Sequence, residues 1–474
     1  MNSLLIILLI VLYLYMIVST ISVLLLENRN PVRSLSWVLV LVLLPIIGIV
    51  LYLLIGQNYR KQKIISKKSI RHNTQLPKTE LHPEDFTEFI DKPHHLNLVN
   101  LLYQNSDAPA YAYNKIQVLA DGETTFTAMF DAIVNAKEHI HIEFFIFGDD
   151  RISNHLRMLL IKKAQEGVRV RMIYDYLGSH NLTKGYLQSL SDAGVYVRPF
   201  LPLRLRLRRS KINFRNHRKL LIVDGKLGFT GGLNFADRYI FGNTLGKWRD
   251  TFVKFEGAVV HGLQSLFLTD WYFVERKLIT DLKYYPKPHK FSENLVQIVS
   301  SGPDSDWESI MQGIASAIIS ANKYVYMHTP YFVPNDVILN AISIAALSGI
   351  DVRLMIPTAS DSKLSDACTF SYLGEILDAG VRVYQYKEGF LHSKAIVIDD
   401  FISIVGSANL DERSFNQNFE ANAFIFDAET SVELRDLFIK DQDHCQEITL
   451  NDWNNRKRSQ KLKESFARLF SPII

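Results

Sequence analysis

The chain has 474 residues, of which 53 are lysine or arginine and 49 are aspartate or glutamate, so its formal net charge is only +4. This length allows more than one domain. The small net charge excludes a protein that binds polyanions through its overall charge, so any cationic function must come from local clusters. The two cysteines, Cys368 and Cys445, lie far apart and provide neither a disulfide framework nor the spacing of zinc ligands.

Residues 1–58 contain two long apolar segments, about 4–26 and 35–55, neither of which carries a charge. A helix that crosses a bilayer needs about 20 apolar residues, so we predict two transmembrane helices joined by the short linker 27–34. A cleaved signal peptide is the alternative for the first segment, which lacks a charged start and a small-residue cleavage site. A buried soluble hairpin is the alternative for both.

The orientation of this hairpin follows from the basic residues beside it. The linker carries Arg29 and Arg33. The stretch after the second segment carries Arg60, Lys61, Lys63, Lys67, Lys68 and Arg71. Because lysine and arginine are enriched on the cytoplasmic side of membrane proteins, we predict that the large remaining part of the chain lies in the cytoplasm. The basic stretch can also bind anionic lipid headgroups.

Beyond the membrane segment, the chain divides into a linker and two similar halves. We interpret 59–108 as a basic juxtamembrane segment and linker, 109–290 as the first half and 291–474 as the second. Predicted strands lie at 139–147, 168–175 and 195–198, and again at 324–332, 350–356 and 381–386. Helical patterns separate them, which indicates βαβ units, so the predicted fold class is α/β with mixed, largely parallel sheets.

One strand of the first half raises the possibility of a metal site. His139, His141 and Glu143 share a strand face and are metal-ligating residue types. The second half has two tyrosines and a histidine at the matching places. We therefore predict no metal, and interpret the face as the polar edge of a strand.

An insertion, 201–219, precedes the first of the motifs described next and has no counterpart in the second half. In it Arg204, Arg206 and Arg208 alternate with leucines, which gives one cationic and one apolar face at a period of two. One interpretation is an edge strand with a solvated face. The other, favoured by the proximity of His217, is a flap at the bilayer, with leucines towards acyl chains and arginines on phosphates.

The main signal is a motif that occurs twice. The segment 214–234, FRNHRKLLIVDGKLGFTGGLN, contains His217, Lys219, Asp224, Gly232 and Asn234. The segment 391–409, LHSKAIVIDDFISIVGSAN, repeats every interval with His392, Lys394, Asp399, Ser407 and Asn409. Two copies with equal intervals indicate a duplicated catalytic half-site.

The positions within each motif predict different roles. Residues two apart in a strand share a face, so each histidine should project beside its lysine. Asp224 lies at an odd interval and in an Asp-Gly pair typical of two-residue hairpin turns. We therefore interpret Asp224 and Asp399 as turn-forming or positioning groups. Small residues at Gly232 and Ser407 would let a phosphate approach the backbone, and the asparagines at 234 and 409 could donate to it.

Brought together, two histidines, two lysines and two asparagines form a site for a phosphodiester. One imidazole would attack phosphorus and the other would protonate the leaving alkoxide. The lysines and asparagines would hold the phosphoryl oxygens, so we predict no cofactor and no metal. The alternative is that each His-x-Lys is a surface strand pair, which the duplication disfavours.

Acidic residues after each motif could orient the histidines. Such a histidine needs an acceptor for its other ring nitrogen. Asp250 and Glu420 are the candidates, in a crosswise arrangement between the halves, with ordinary salt bridges as the alternative. Further along, 453–474 places apolar residues at helical spacing among basic ones. This tail could lie on the membrane or pack against the catalytic part.

The two motifs resemble the paired HKD motifs of the phospholipase D superfamily. Within it, the chain resembles the bacterial cardiolipin synthases essentially from end to end, including the apolar segment 28–56. The resemblance implies two halves around one shared active site in a multi-pass protein of the bacterial cell membrane. It also implies transfer of a phosphatidyl group from one phosphatidylglycerol to another, giving cardiolipin and glycerol. By analogy His217 would be the nucleophile and His392 the general acid, an order that the residues themselves leave open.

Three other functions compete with this one. A hydrolase would use the same site with water as acceptor, which the sequence does not distinguish. A nucleic-acid phosphodiesterase could use the arginine-rich insertion, but the membrane spans and the Leu–Arg alternation favour lipid, so we predict no nucleic-acid partner. A non-enzymatic scaffold would have lost a motif, and neither motif is lost. The oligomeric state, the acyl preference and a possible phosphatidylethanolamine substrate stay open.

Overall fold

The computed structural model describes residues 83–90, 92–202 and 213–471, together with 31–44 and scattered positions among the first 52 residues. These residues fall into two compact units, one within residues 1–63 and one that holds 83–202 and 214–471. Parts of both predicted spans and the whole stretch 59–82 lie outside the described residues.

The N-terminal unit contains helix α1, Pro31–Leu43, which starts with a proline, as suits a first helical turn. Leu41 and Tyr52 are buried, and the Trp37 ring packs edge-on against that of Tyr52 with centroids 5.4 Å apart. Leu35 on the same helix is 61% exposed. Within the described part of the chain, no helix has both the length and the apolar character needed to cross a membrane.

The first half of the large unit alternates strands and helices, as predicted. After helix α2, Pro93–Ser106, the elements are β1 Ala110–Ala112, β2 Lys115–Leu119, α3 Gly122–Asn135, β3 His139–Phe144, α4 Arg151–Gln165, β4 Arg169–Asp175, α5 Lys184–Asp192 and β5 Tyr196–Phe200. The motif region and its sequel follow with β6 Arg215–Asn216, β7 Leu220–Val223, β8 Leu227–Gly231, α6 Arg238–Phe241, β9 Lys247–Arg249, β10 Phe252–Glu256 and α7 Val260–Glu275.

The second half repeats this order. Its first elements are β11 Leu295–Ser301, α8 Ser309–Ile319, β12 Tyr324–His328, β13 Phe332–Val333, α9 Asp336–Leu347, β14 Asp351–Pro357, α10 Lys363–Asp378 and β15 Arg382–Tyr386. The remainder comprises β16 Gly389–Leu391, β17 Ala395–Ile398, β18 Ile402–Gly406, β19 Leu410–Asp411, α11 Glu412–Asn416, β20 Asn418–Phe426, α12 Ala428–Gln442, β21 Cys445–Ile448, α13 Leu450–Asn454 and α14 Arg458–Arg468.

The two main sheets show that the halves are true repeats. The first runs in the order β2-β10-β8-β7-β3-β4-β5, and the second contains the equivalent order β11-β20-β18-β17-β12-β14-β15, with β1 and β21 added at its edges. Helices of each half cover apolar sheet faces, giving one buried core per half. The predicted duplication and the mixed sheets are therefore confirmed.

The prediction that these sheets are largely parallel is wrong. Among the described strands of each main sheet path, only the pairs joined by crossover helices are parallel, β3-β4-β5 and β12-β14-β15. The remaining neighbours in the two sheet paths are antiparallel. Motif strands follow one another through short turns, and short turns join antiparallel strands only. The sequence pattern detected the βαβ units but not the strands that pair beyond them.

Part of the predicted linker, and the strand at the start of the predicted first half, pack with the second half. Phe86, Leu98 and Leu102 are buried in its core, and β1 pairs with β11 through Tyr111 opposite Val296. Within this unit, the described residues before β2 therefore pack against the second half, and the first half begins at β2.

Candidate active site

Each catalytic histidine candidate is positioned by a short strand from the opposite half. Strand β6, just before His217, pairs in parallel with the start of β20, and the His217 N–H donates to the Phe419 carbonyl at 2.9 Å. Strand β16, just before His392, pairs in parallel with β9, and the His392 N–H donates to the Arg249 carbonyl at 2.8 Å. The residue that follows Phe419 is Glu420, and the residue that follows Arg249 is Asp250. The backbone therefore brings each histidine to a carboxylate of the other half.

The first of these pairs is His217 with Glu420. His217 Nδ1 lies 2.9 Å from Glu420 Oε1, and Glu420 is fully buried. Burial lowers the pKa of the His217 imidazole to about 4, although Glu420 opposes this. Burial would raise the pKa of Glu420, but His217, Lys219 and Ser407 outweigh it and hold that pKa at about 2. At neutral pH an ionised carboxylate thus accepts from the Nδ1–H of a neutral imidazole, which leaves Nε2 with its lone pair.

The second pair is His392 with Asp250. Asp250 Oδ2 lies 2.7 Å from His392 Nδ1, and both side chains are buried. Burial raises the pKa of Asp250 to about 6, against the positive charge of Lys394. Burial, with Lys394 and Lys219, lowers the pKa of His392 well below its usual value. The two crosswise contacts are those anticipated from the sequence, and their carboxylates differ in pKa, because burial dominates at Asp250 while neighbouring cations and hydrogen bonds dominate at Glu420.

The two lysines lie beside their histidines. Lys219 Nζ donates to the His217 carbonyl at 2.6 Å, and Lys394 Nζ lies 3.0 Å from His392 Nδ1. Burial lowers the pKa of Lys394 to about 8, opposed by Asp250 and other carboxylates, and lowers that of Lys219 well below normal. The His-x-Lys segments are not themselves strand residues; each connects a short strand to a motif strand. The lysines still reach the same side as the histidines.

The small residues of the motifs contact the two carboxylates. The Ser407 hydroxyl donates to Glu420, and its oxygen accepts from the Ala421 N–H at 3.0 Å. At the matching place in the first half, a Cβ added to Gly232 would lie 2.2 Å from Asp250 Oδ1. The sequence did not anticipate these contacts, and binding of a phosphate by Gly232 and Ser407 stays a prediction.

We predict that Gly232→Ala slows turnover because the new methyl group displaces Asp250 from His392. Forcing a methyl group into a packed site costs about 1–3 kcal/mol, so we expect roughly a 10- to 100-fold lower rate with the protein still folded. The matched control is Gly185→Ala, where nothing lies within 4 Å of the added Cβ. Rates on phosphatidylglycerol and thermal unfolding would be measured for both. An unchanged Gly232→Ala rate would show that Asp250 is not held by this contact.

The two motif asparagines have partners within the protein. Asn234 donates to the Tyr239 hydroxyl at 3.0 Å and accepts from the Ile146 N–H at 3.2 Å. Asn409 donates to Asp411 Oδ2 at 2.9 Å. Their use as donors to a phosphate stays a prediction.

The motif aspartates anchor the far ends of the motif strands. Asp224 accepts from three consecutive backbone N–H groups, 137–139, at 2.8–2.9 Å, and Asp399 does the same for 322–324 at 2.6–3.0 Å. Both have positive φ, near 55°. The turns contain three residues between paired positions, such as Val223 and Leu227, not the two expected. At about 3.3 Å per strand residue, each motif aspartate lies roughly 20 Å along the chain from its histidine. This distance supports the interpretation of Asp224 and Asp399 as positioning groups that do not touch the reacting atoms.

Aromatic rings next to the histidines were missed by the sequence reasoning. The Phe145 ring lies 5.1 Å from that of His217, and Trp248 and Tyr239 lie 5.2 and 5.7 Å from that of His392. Phe145 lies within the predicted strand 139–147, and Trp248 lies two residues before the candidate acid Asp250. These positions were the only signals that the sequence offered. These rings pack against the two histidines and so contribute to the burial that lowers their pKa values.

The histidine-rich face of β3 forms a buried hydrogen-bond network. His139 Nε2 and His141 Nδ1 lie 3.0 and 3.2 Å from Gln264 Oε1, and Arg171 lies 2.9 Å from His141 Nε2. The carboxyl of Glu143 accepts from Asn216, immediately before His217. Within the described residues, no group of three or more His, Cys, Asp or Glu is placed to hold a metal ion.

We predict that stability falls in mild acid because of buried histidines outside the site. Burial lowers the pKa of His139 and of His328 to about 4. An unfolded histidine titrates near pH 6.5, so only the unfolded chain takes up these protons as the pH falls from about 6.5 to 4. Each histidine should therefore remove up to about 3 kcal/mol across this window.

Thermal unfolding of the detergent-solubilised protein at about pH 7 and about pH 5 measures this loss. The variant His328→Gln should show a smaller loss than the wild type. Equal losses would contradict the assignment.

The arginines of the insertion, Arg204, Arg206 and Arg208, lie in 203–212, outside the described residues. Their predicted contact with lipid therefore stays a prediction.

Comparison with known proteins gives the same assignment as the geometry. A family profile described as "Cardiolipin synthase, PLD-like domain" matches 129–271 and 314–442, one stretch in each half, and a profile described as "Phospholipase_D-nuclease N-terminal" matches 11–57. The chain is 39% identical over 457 residues to cardiolipin synthase 2 of Bacillus anthracis, covering 95% of this chain and 89% of that one. It is 40% identical over 453 residues to a cardiolipin synthase of Geobacillus kaustophilus, covering 95% and 90%.

A solved structure shares the fold. The phosphatidylserine synthase of Haemophilus influenzae aligns with a TM-score of 0.62 over 80% of this chain and all of that one, at 15% identity. The duplicated fold with its crosswise His–carboxylate pairs and two lysines defines an enzyme of the phospholipase D superfamily. Within that superfamily, the chain belongs to the cardiolipin synthase family of phosphatidyltransferases. The family resemblance drawn from the motifs is thereby confirmed.

Proposed function

We propose that the enzyme joins two phosphatidylglycerol molecules into cardiolipin and releases glycerol. The observation that carries this proposal is the pair of largely enclosed histidines, each held by a carboxylate of the other half, with a lysine beside each. Such a site offers one imidazole for attack and one for proton transfer. The names of the relatives support cardiolipin as the product.

In the first step His217 is the nucleophile. Its Nε2 attacks phosphorus of one phosphatidylglycerol, and the bond from phosphorus to the glycerol headgroup breaks. His392 gives a proton to the departing glycerol oxygen. The pKa values support this order, since burial lowers the pKa of His217 to about 4 and leaves its Nε2 unprotonated, while the pKa of Asp250, raised by burial to about 6, lets the His392–Asp250 pair take up a proton more readily.

In the second step the phosphatidyl group leaves His217. A free glycerol hydroxyl of the second phosphatidylglycerol attacks phosphorus, His392 takes the proton of this hydroxyl, and the N–P bond breaks. The reaction yields cardiolipin and restores both histidines. Burial supports transfer to an alcohol over hydrolysis, because the side chains of His217 and His392 are only 12% and 8% exposed.

The other motif residues would bind and position the phosphate. Lys219 and Lys394 would pair with the phosphoryl oxygens. Burial lowers the pKa of both lysines in the free site, and an anionic phosphate beside them would favour their charged form and be held strongly in the same buried surroundings. Asn234 and Asn409 are further donors, and Gly232 and Ser407 lie where the backbone can approach the phosphate. Asp224 and Asp399 contribute by fixing the motif turns.

The enzyme would work at the bacterial cell membrane. The apolar segments 4–26 and 35–55, with the profile match over 11–57, support a two-helix membrane hairpin. The basic stretch after it supports a cytoplasmic catalytic part. Arg204, Arg206 and Arg208 would bind lipid phosphates from the insertion beside His217.

The test uses the full chain in detergent–phosphatidylglycerol micelles with a chelator, and follows products by mass. Cardiolipin and glycerol in equal amounts are expected from the wild type, and neither from His217→Ala. Phosphatidic acid as the main product would mean that water is the acceptor and the enzyme is a hydrolase. Activity that requires an added divalent metal would contradict the mechanism argued here.

A further inference from the structure

The C-terminal helix α14 packs on the second half through one face only. The Ala467 carbonyl accepts from Cys368 Sγ at 3.0 Å, and the Arg468 guanidinium stacks 4.2 Å above the Tyr372 ring. Arg468 also pairs with Glu375. These contacts join α14 to α10 and fix which side of α14 faces away from the protein.

The outward side of α14 carries large apolar residues. Leu462, Phe466 and Leu469 follow one another at intervals of four and three residues, which places them on one stripe of the helix. They are 73%, 62% and 74% exposed. The Phe466 ring packs edge-on against that of Phe470, 5.4 Å away, so the stripe is continuous over its last turns. Exposed apolar groups of this size indicate a binding surface.

The charges around this stripe are positive. Lys457, Arg458 and Lys463 are exposed beside it. The helix has one acidic residue, Glu464, and this side chain is buried against Arg456 at 3.4 Å. Apolar residues flanked by cations, with the acid turned inward, match the headgroup region of an anionic bilayer.

The same surface adjoins a segment that leads to the active site. Burial raises the pKa of the Asp366 carboxyl, and the positive charge of Lys463 opposes this shift. Asp366 also accepts a hydrogen bond from the Ser360 N–H at 2.9 Å. One residue further, Asp361 accepts a hydrogen bond from Tyr331 and acts electrostatically on Lys394. This segment directly precedes α10, the helix on which α14 packs through the pair of Arg468 with Glu375.

We propose that the outward face of α14 docks on the surface of an anionic phospholipid bilayer. Leu462, Phe466 and Leu469 enter the headgroup–acyl boundary, and Lys457, Arg458 and Lys463 bind the lipid phosphates. This inference extends the proposed function, because a lipid substrate must pass from such a surface to the site. The contact itself does not depend on which reaction follows.

The experiment places an environment-sensitive dye on the full chain at Phe466→Cys, in a Cys445→Ser background, since Cys368 is buried. The protein is reconstituted in lipid nanodiscs of phosphatidylcholine with and without phosphatidylglycerol. We expect a blue shift of emission when phosphatidylglycerol is present, reduced by high salt. The shift should be lost when Lys457, Arg458 and Lys463 are all changed to glutamate.

The control carries the same dye at Leu347→Cys. Leu347 is 73% exposed, and its helix, α9, contains no basic residue. The proposal is overturned if the dye at position 466 keeps its water-exposed emission in every disc, or if position 347 shifts equally. A shift in detergent that grows with protein concentration would instead identify a second copy as the partner, and would also overturn it.

A separate measurement distinguishes this proposal from the proposed function. The triple glutamate variant is assayed in detergent–phosphatidylglycerol micelles, where no bilayer surface is present. Cardiolipin formation at the wild-type rate there, combined with a lost shift in nanodiscs, supports the docking surface alone. If the wild type formed no cardiolipin, the proposed transfer reaction would be contradicted. The dye measurement would still decide whether α14 docks on the bilayer.

Discussion

His392→Ala should be almost inactive on phosphatidylglycerol but should recover its first step on a phosphatidyl ester of 4-nitrophenol. Without a proton donor, glycerol must leave as an alkoxide, and removal of a general acid costs roughly 10²- to 10⁴-fold in rate. Nitrophenolate needs no proton to leave, so the first step survives. The second step still lacks a base for the incoming alcohol. We therefore expect a burst of nitrophenolate equal to the enzyme concentration, followed by slow turnover.

The covalent product of this burst should be visible on the protein. Intact-protein mass should rise by one phosphatidyl group, and proteolysis should locate that group on His217. His217→Ala should give no burst with either substrate, because no nucleophile remains. A burst from His217→Ala and none from His392→Ala would reverse the two roles. Equal loss in both variants with the nitrophenyl ester would contradict a division of labour between the histidines.

The sequence predicted the members of this site better than their contacts. Equal intervals in two motifs identified His217, Lys219, His392 and Lys394, because a duplicated catalytic half-site must keep its spacing. The pairing of His217 with Glu420 could be guessed only from the need of an imidazole for an acceptor. What fixes it is the parallel pairing of β6 with β20, a contact between residues about 200 positions apart, which no local pattern encodes.

The same limit explains where the fold prediction failed. Period-two and helical patterns report which residues of a segment are buried, so the βαβ units were found. They do not report which strand lies alongside, so the antiparallel majority of sheet neighbours was missed. The contact of Gly232 with Asp250 has the same character. A glycine in a motif indicates that some group packs closely against its backbone. Only the folded chain shows that, at Gly232, this group is the carboxylate of Asp250.

The strongest consequence of the crosswise pairs is that the two carboxylates should fail in different ways. In Glu420→Gln the amide can donate to Nδ1 of His217 and so favour the tautomer whose Nε2 carries the proton. The nucleophilic lone pair is then lost, and we expect a rate roughly 10³- to 10⁴-fold lower, as for the equivalent change in a catalytic triad. This loss should be the same for phosphatidylglycerol and for the nitrophenyl ester.

Asp250→Asn acts on the other histidine and should resemble His392→Ala, with a large loss on phosphatidylglycerol and a retained nitrophenolate burst. If either acid had only a structural role, its substitution would lower the rates on both substrates by the same factor. The control is Asp351→Asn, a carboxylate that pairs with Arg353 at 2.7 Å and accepts from the Tyr326 hydroxyl at 2.9 Å, so that its partners belong to neither histidine–carboxylate pair. It should lower the unfolding temperature while leaving the ratio of the two rates unchanged. If Asp250→Asn and Glu420→Gln instead gave the same ratio of rates on the two substrates, the difference between the pKa values of Asp250 and Glu420 would have no effect on catalysis. The assignment of His217 as nucleophile would then lose the support of these pKa values.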